Sequence, residues 1–467
     1  MDCSTPARAS CCSLPFLLRR RSSTWFIVVV VCSACFVSNF SYAIAAPVLP
    51  FALSERVSIS MDQVQYWISI VLGGYGAGLI VGSPFAGWLT DQFCSRKIPF
   101  LAGMLSLLVA TLLLCLSRCL SLFVIAGVLE GLTGAIVWTV GMALLSDSVD
   151  QGRIGQAMGC MSVAGPLASL CAPALGGFVF DHSGYYAVFA MAFSVIGVDG
   201  ILRVTMAQPT PVVQLCVRTP SVGMDTQPSK SASEIDKVGL LEQGRRIPRI
   251  LLLLRSPRLL AALWGTTVQQ GLMTSFQSVL PLFVKATFGW TATRAGLIFL
   301  PYLGPIVLFS PIIGSLSDRM GTRVLAAAGF VVGCPSLLCL RFVNHNSDGQ
   351  VILLCILLIL NGTAGALTLS SLMAEVSRVV NTKERDDPKF IDKKSVYGQA
   401  YGLFVSFQGL GCLIGPLMAG ALKDAYGWAI MSLVLAVISG VSAIPIAFCS
   451  TGRRSTDREA SGIAEGP

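Results

Sequence analysis

The chain returns again and again to apolar stretches of about 20 residues, the length at which a helix crosses the hydrocarbon core of a bilayer. Roughly twelve such runs can be placed, beginning near Thr24, Gln65, Ile98, Leu120, Gly155, Gly184, Arg258, Arg294, Arg323, Gln350, Gly398 and Gly427. In lipid every backbone N–H and C=O must be satisfied within the segment, so such a chain folds as a bundle of helices. Charged residues make up 12% of the sequence, against about 25% in soluble domains. The expected fold is an all-α membrane protein of about twelve transmembrane helices.

The connections are short except after the sixth run, where residues 207–257 are hydrophilic, rich in Ser, Pro, Lys and Arg, and without hydrophobic periodicity. This pattern predicts a cytoplasmic tail at 1–23, a six-helix bundle at 24–206, a cytoplasmic linker at 207–257, a second six-helix bundle at 258–450 and a tail at 451–467. The net charge of +9 reads as topology rather than as affinity for nucleic acid, which is not an expected partner. Only Arg56, Arg118, Lys285, Arg294, Arg341 and Lys423 fall on one side of the alternating arrangement, and the other 27 basic residues fall on the opposite side. That richer side is cytoplasmic, with both termini inside.

One local pattern occurs twice. Gly87-Trp-Leu-Thr-Asp91 is followed by Arg96 and Lys97, and Gly314-Ser-Leu-Ser-Asp318 by Arg319 and Arg323. The two aspartates are 227 positions apart in 467 residues, the mark of an internally repeated transporter. Each aspartate closes a helix, where the dipole disfavours negative charge. It therefore needs a cation such as Arg96 or Lys97, or the N-terminus of a helix from the other half. These eight residues are candidates for a cytoplasmic gate.

Polar side chains inside apolar runs are costly unless they face a cavity or another helix. Ser38, Asn39, Tyr42, Trp138, Gln269, Gln277 and Asn361 are accordingly candidates for lining a solute cavity. Glu130 and Glu375 are acids set within apolar helices and are candidates for proton coupling, whereas Asp199 and Arg203, spaced i to i+4, form a structural pair. Pro173 with Gly176 and Gly177, and Gly415-Pro416 with Gly420, mark kinks or packing seams. No cofactor or metal is expected. The sixteen cysteines lack ligand or disulfide spacing, only His182 and His345 are present, and no catalytic constellation appears, so the chain is not expected to be an enzyme.

The two Gly-to-Asp turns, together with Val137-Trp138-Thr-Val-Gly-Met-Ala-Leu-Leu, Gly184-Tyr-Tyr-Ala-Val-Phe and Gly296-Leu-Ile-Phe-Leu-Pro301, resemble the major facilitator superfamily. The resemblance runs from about residue 25 to about 450 and is strongest to fungal drug:proton antiporters related to vesicular amine transporters. It implies two pseudo-symmetric six-helix bundles that rock about a central cavity. It further implies a monomer in the plasma membrane, or a vacuolar or vesicular one, exporting a small hydrophobic or amphipathic drug, toxin or secondary metabolite in exchange for protons. The departures carry information. Drug antiporters have an arginine where this chain has Gly127, and amine-type relatives have acids where it has Ser38 and Gln277. A less charged cavity follows, suited to a neutral or weakly polar solute. An uncoupled facilitator or importer, or a receptor that binds without flux, remains open on these residues.

Overall fold

The computed structural model describes residues 23–45, 49, 57, 61–93, 95–206, 254–290, 292–386 and 397–448, and no strand occurs among them. The first bundle comprises α1 (Thr24–Ala45), α2 (Met61–Gln92), α3 (Lys97–Leu116), α4 (Leu120–Ser148), α5 (Ile154–Met161), α6 (Ala164–Ser183) and α7 (Tyr185–Thr205). The second comprises α8 (Pro257–Phe288), α9 (Ala292–Leu297), α10 (Phe299–Met320), α11 (Thr322–Cys339), α12 (Asp348–Asp386), α13 (Tyr397–Tyr426) and α14 (Trp428–Phe448). Because α5 and α6 form one span and α9 leads into α10, each bundle has six spans. Residues 1–22 of the expected tail at 1–23, the expected tail at 451–467 and residues 207–253 of the linker lie outside the described residues.

Ten of these spans are, taken singly, long and apolar enough to cross a bilayer. The other two, α2 and α8, run for 32 residues each, α2 rich in glycine and α8 in amide and hydroxyl side chains. α2 packs on α4 within its own bundle and on α13 across the molecule, while α8 packs on α13, so each presents one face to protein. The outer surface is apolar, with Val81, Leu308 and Phe448 all more than two-thirds exposed, which only a hydrocarbon environment accommodates.

The two bundles meet through α2 against α13 and α5 against α10. Within the first bundle α2 and α4 approach through glycines: a methyl group at Gly131 would run into the Tyr75 carbonyl, and one at Gly78 into the Val128 carbonyl. Gly131→Leu is therefore expected to cost at least ~1–3 kcal/mol of stability, read as a lower unfolding midpoint in detergent. Gly127 belongs to the same seam, since a side chain there would meet the Val71 carbonyl at 2.6 Å. The arginine that drug antiporters carry at this position has no room here.

The repeat extends to the turns. Gly184, between α6 and α7, and Gly427, between α13 and α14, have φ of 77° and 82° and lie 243 positions apart. Both sit in the left-handed region that glycine enters without a Cβ penalty. Asp199 and Arg203 form the expected pair, 2.6 Å apart with fully buried side chains. Arg203 also donates to the Phe100 carbonyl at 2.8 Å and stacks over the Phe100 ring, pinning α7 to α3. α6 continues as helix through Pro173 and α13 through Pro416, and the fifth span breaks at Ser162–Val163. That break lies just before Pro166, which has no N–H to offer the Ser162 carbonyl. Gly176 is buried and Gly415 packs against Gly271 and Thr274 of α8, but Gly177 and Gly420 face open space and form no seam.

Candidate functional site

Both repeated aspartates cap a helix of the opposite bundle. Asp91, at the end of α2, accepts the Gly398 N–H at 3.0 Å through Oδ1 and the Gln399 N–H at 2.9 Å through Oδ2. Asp318, at the end of α10, accepts the Gly155 N–H at 2.8 Å and the Gln156 N–H at 3.0 Å in the same way. In each case a carboxylate takes two free amides from the first turn of a helix and meets the positive end of its dipole. The glycine one turn earlier serves the same contact. A methyl group at Gly87 would run into Gly398, and one at Gly314 into Gly155, so the Gly-x-x-x-Asp spacing places one close backbone approach and one capping carboxylate on a single helix face.

The cationic partners break the symmetry. Asp91 pairs with Arg96 at 3.0 Å, and Arg96 also donates to Asp147 at 2.9 Å and to the Thr90 carbonyl at 2.6 Å. Burial works against the charge on Arg96, but the carboxylates of Asp147 and Asp91 outweigh it and raise its pKa above the ordinary arginine value. Asp318 pairs instead with Arg378 of α12 at 3.1 Å. The other basic candidates serve elsewhere. Lys97 donates to the Val204 and Met206 carbonyls at the end of α7, Arg319 is exposed, and Arg323 pairs with Glu375.

Behind the two caps lies a layer of neutral hydrogen bonds between the bundles. Ser146 and the buried Tyr401 hydroxyl are 3.0 Å apart, Gln151 donates to Ser377 and Tyr397, and Ser162 meets Ser370 at 3.0 Å. Together with the caps they close the bundles against each other at this end. Tyr401→Phe removes the Ser146 contact and is expected to loosen the closed arrangement by about 1 kcal/mol. Increased labelling of a reporter cysteine placed at Gly152 would register it.

None of the sequence motifs marked Gln151 or Tyr401, yet a signal exists. Gly155-Gln156-Ala157-Met158-Gly159 and Gly398-Gln399-Ala400-Tyr401-Gly402 are a second repeated pattern, 243 positions apart, and they are the two capped helix starts.

Glu130 sits on α4 about 25 Å along the helix axis from Asp147, well beyond this closed layer. It is buried, its Oε1 has no hydrogen-bond partner, and it forms no ion pair among the described residues. It lies within electrostatic reach of Tyr42 and Tyr75, whose rings stack at 4.0 Å. Cys412 of α13 lies within electrostatic reach of both tyrosines, and Gln270 of α8 hydrogen-bonds Cys412, so the tyrosine pair sits near the second bundle. Gln270 belongs to the amide-rich stripe of the seventh run, whereas Tyr75 and Cys412 are absent from the candidates chosen by sequence. Tyr75 is embedded in a glycine run that reads as packing.

The other cavity candidates fall into two sets. Asn39 and Trp138 both face Gly165 of α6, with Ser38 buried nearby in sequence and its hydroxyl unpartnered. Gln269 faces Gly365 of α12, one turn from Asn361, whose amide nitrogen is likewise buried without a partner. Gln277 lies two turns further along α8 and is half-buried. No hydrogen bond joins the two sets among the described residues, so the polar candidates of each bundle stay on their own side. Glu375 stands apart from both. It accepts from Arg258 at 3.0 Å, Arg323 at 3.1 Å and the Thr322 hydroxyl, so it is held in an ion-pair cluster at the capped end.

The model of the Major Facilitator Superfamily matches residues 31–279 and 262–466. The chain belongs to the major facilitator superfamily. It is 31% identical to an uncharacterised MFS-type transporter, C18.02, of Schizosaccharomyces pombe, over 95% of this chain and all of that one. It is also 28% identical to the MFS-type transporter ppzB of Metarhizium rileyi, over 94% and 97% of the two chains. The multidrug resistance protein MdtG of Escherichia fergusonii is 25% identical over 88% and 91%. The crystal structure of the human organic anion transporter MFSD10 (TETRAN) superposes with a TM-score of 0.66 at 15% identity, covering 91% of this chain and 99% of that one. The facilitator fold expected from the repeated turns is thus established, and the protein is a multi-pass membrane transporter, not an enzyme.

Proposed function

We propose that this facilitator exports a neutral or weakly polar amphipathic organic compound by alternating access, in exchange for protons, with Glu130 as the proton-carrying group. The observation that carries this reading is the Glu130 carboxylate, buried with one oxygen unpartnered and with Tyr42 and Tyr75 within its electrostatic reach. An acid held in a membrane helix without a counter-charge is suited to gaining and losing a proton as its access switches between two aqueous sides. The caps made by Asp91 and Asp318 are the gate of this cycle, and Asn39, Trp138, Gln269 and Asn361 contribute to the solute path. The excess of basic residues on that side supports reading the capped end as cytoplasmic. With that end closed, the arrangement corresponds to the outward-facing side of the cycle. The multidrug resistance name of the MdtG relative supports efflux, across the plasma membrane or into a vacuole or vesicle. Drug, toxin or secondary metabolite is the substrate class, the transporter acting as a monomer.

A specific departure favours the second reading, an uncoupled facilitator: Gly127 leaves no space for the arginine that drug antiporters carry one turn from this acid. Reconstituted vesicles separate the two. Antiport predicts that neutral amphipathic dyes accumulate only under an imposed pH gradient, with cationic dyes transported less well. Equilibration at the same rate with the gradient collapsed would leave the facilitator.

A further inference from the structure

One row of side chains on α13 looks towards the first bundle. Tyr401, Gln408 and Cys412 are spaced seven and four residues apart and so lie one above another on the helix. Contacts fix the ends of the row: the Tyr401 hydroxyl meets Ser146 of α4, and Cys412 lies within electrostatic reach of Tyr42 and Tyr75. Contacts fix the flanks as well. Ser406 and Gly409 pack on α2, Gly411 and Gly415 pack on α8, and Leu417 is exposed towards lipid. Gln408 therefore faces the middle of the molecule. It is only half-buried there, and its amide makes no hydrogen bond among the described residues. Gln270, the amide of α8 nearest this row, is by contrast engaged with Cys412.

A free amide inside the membrane is costly unless it faces a polar group or a solute. Its level in the molecule points to a solute. Seven residues of helix rise about 10 Å, so the step from Tyr401 to Gln408 corresponds to the step from Ser146 back along the antiparallel α4 to Thr139. The Thr139 hydroxyl is also buried without a partner, and Trp138 is its neighbour. The same step along α12, from Met373, whose carbonyl accepts from Tyr401, reaches Ala366, next to the Gly365 that Gln269 faces. Gln408 thus stands at the common level of Trp138 in the first bundle and Gln269 in the second, on a helix that packs against both bundles. The row carries donors and acceptors but no charge, which suits a neutral partner. We propose that Gln408 is a specificity-determining residue of the solute path, its amide N–H donating to a carbonyl oxygen of a neutral amphipathic solute held between Trp138 and Gln269. This rests on the solute path described above and not on proton coupling.

The test uses the full-length protein in a neutral detergent and two neutral fluorescent probes, acetylpyrene and ethylpyrene, which differ by a carbonyl in place of a methylene. Wild-type protein is expected to bind acetylpyrene about fivefold more tightly, the worth of one neutral hydrogen bond. Gln408→Leu is expected to abolish that preference by weakening acetylpyrene alone. Gln408→Met, which keeps the unbranched length of glutamine, carries the test should the leucine variant fail to fold. Wild-type protein with no saturable binding of acetylpyrene or no preference for the carbonyl, or a preference that survives the substitution, would overturn the proposal. Uptake into vesicles under a pH gradient is read separately: Gln408→Leu should respond to the gradient as wild type does, so a wild type that ignores it would remove antiport and leave this contact standing.

Discussion

Glu130→Gln is expected to abolish solute accumulation driven by a pH gradient while leaving downhill exchange of the same solute intact. Glutamine preserves the shape of the protonated acid but cannot release a proton, so both conformations stay reachable and only the coupling is lost. The gradient-driven rate should fall by more than about tenfold, the change produced by a barrier ~1.4 kcal/mol higher. The surroundings of Glu130 make the substitution a clean one. No ion pair is broken by it among the described residues, and Oε1 has no hydrogen bond to lose. Initial rates in reconstituted vesicles, with and without the gradient, measure both quantities on one preparation. Glu375→Gln behaves differently: it leaves two arginines with one carboxylate fewer, so its expected effect is on stability rather than on the response to pH.

The second large effect is expected from Asp91→Ala combined with Asp318→Ala. Each aspartate satisfies two helix-start amides of the opposite bundle, and loss of such a cap costs ~0.5–2 kcal/mol. Removing both should shift the balance between closed and open at this end by about 2–3 kcal/mol, or roughly a hundredfold in population. The singles should rank unequally. Asp91→Ala leaves the buried Arg96 paired with Asp147, whereas Asp318→Ala takes from Arg378 the one carboxylate it meets among the described residues, so Asp318→Ala should have the larger effect. Spin labels at the exposed Gly152 and Thr382, one on each bundle, would report the opening as a longer distance.

How much of this was legible beforehand depended on how local the cause was. The spans were legible because each is a run of its own residues, and even α2 and α8 could be placed despite their polarity. Asp91 and Asp318 were legible as residues in need of a positive partner, since a carboxylate at a helix end already implies one. That Asp318 takes its cation from Arg378, sixty residues on, was not, because nothing near Asp318 distinguishes Arg378 from Arg319 or Arg323. The ion-pair setting of Glu375 was hidden for the same reason: its partners at Arg258 and Arg323 come from two other helices. Gly177 and Gly420 show the opposite failure, a small-residue pattern that reads as a seam but faces open space. The repeated Gly-Gln-Ala-x-Gly at the capped helix starts was in the sequence throughout. It becomes meaningful once Asp91 and Asp318 are seen to rest on its first two amides.

Coupling is tested most directly by loading vesicles with a pH-sensitive dye and imposing a gradient of a transported neutral solute with no initial pH difference. Antiport through Glu130 predicts that solute movement alone shifts the internal pH, protons moving against the solute, and that Glu130→Gln vesicles pass solute by exchange with no such shift. Solute crossing wild-type vesicles at constant internal pH would contradict proton antiport and leave the protein an uncoupled facilitator.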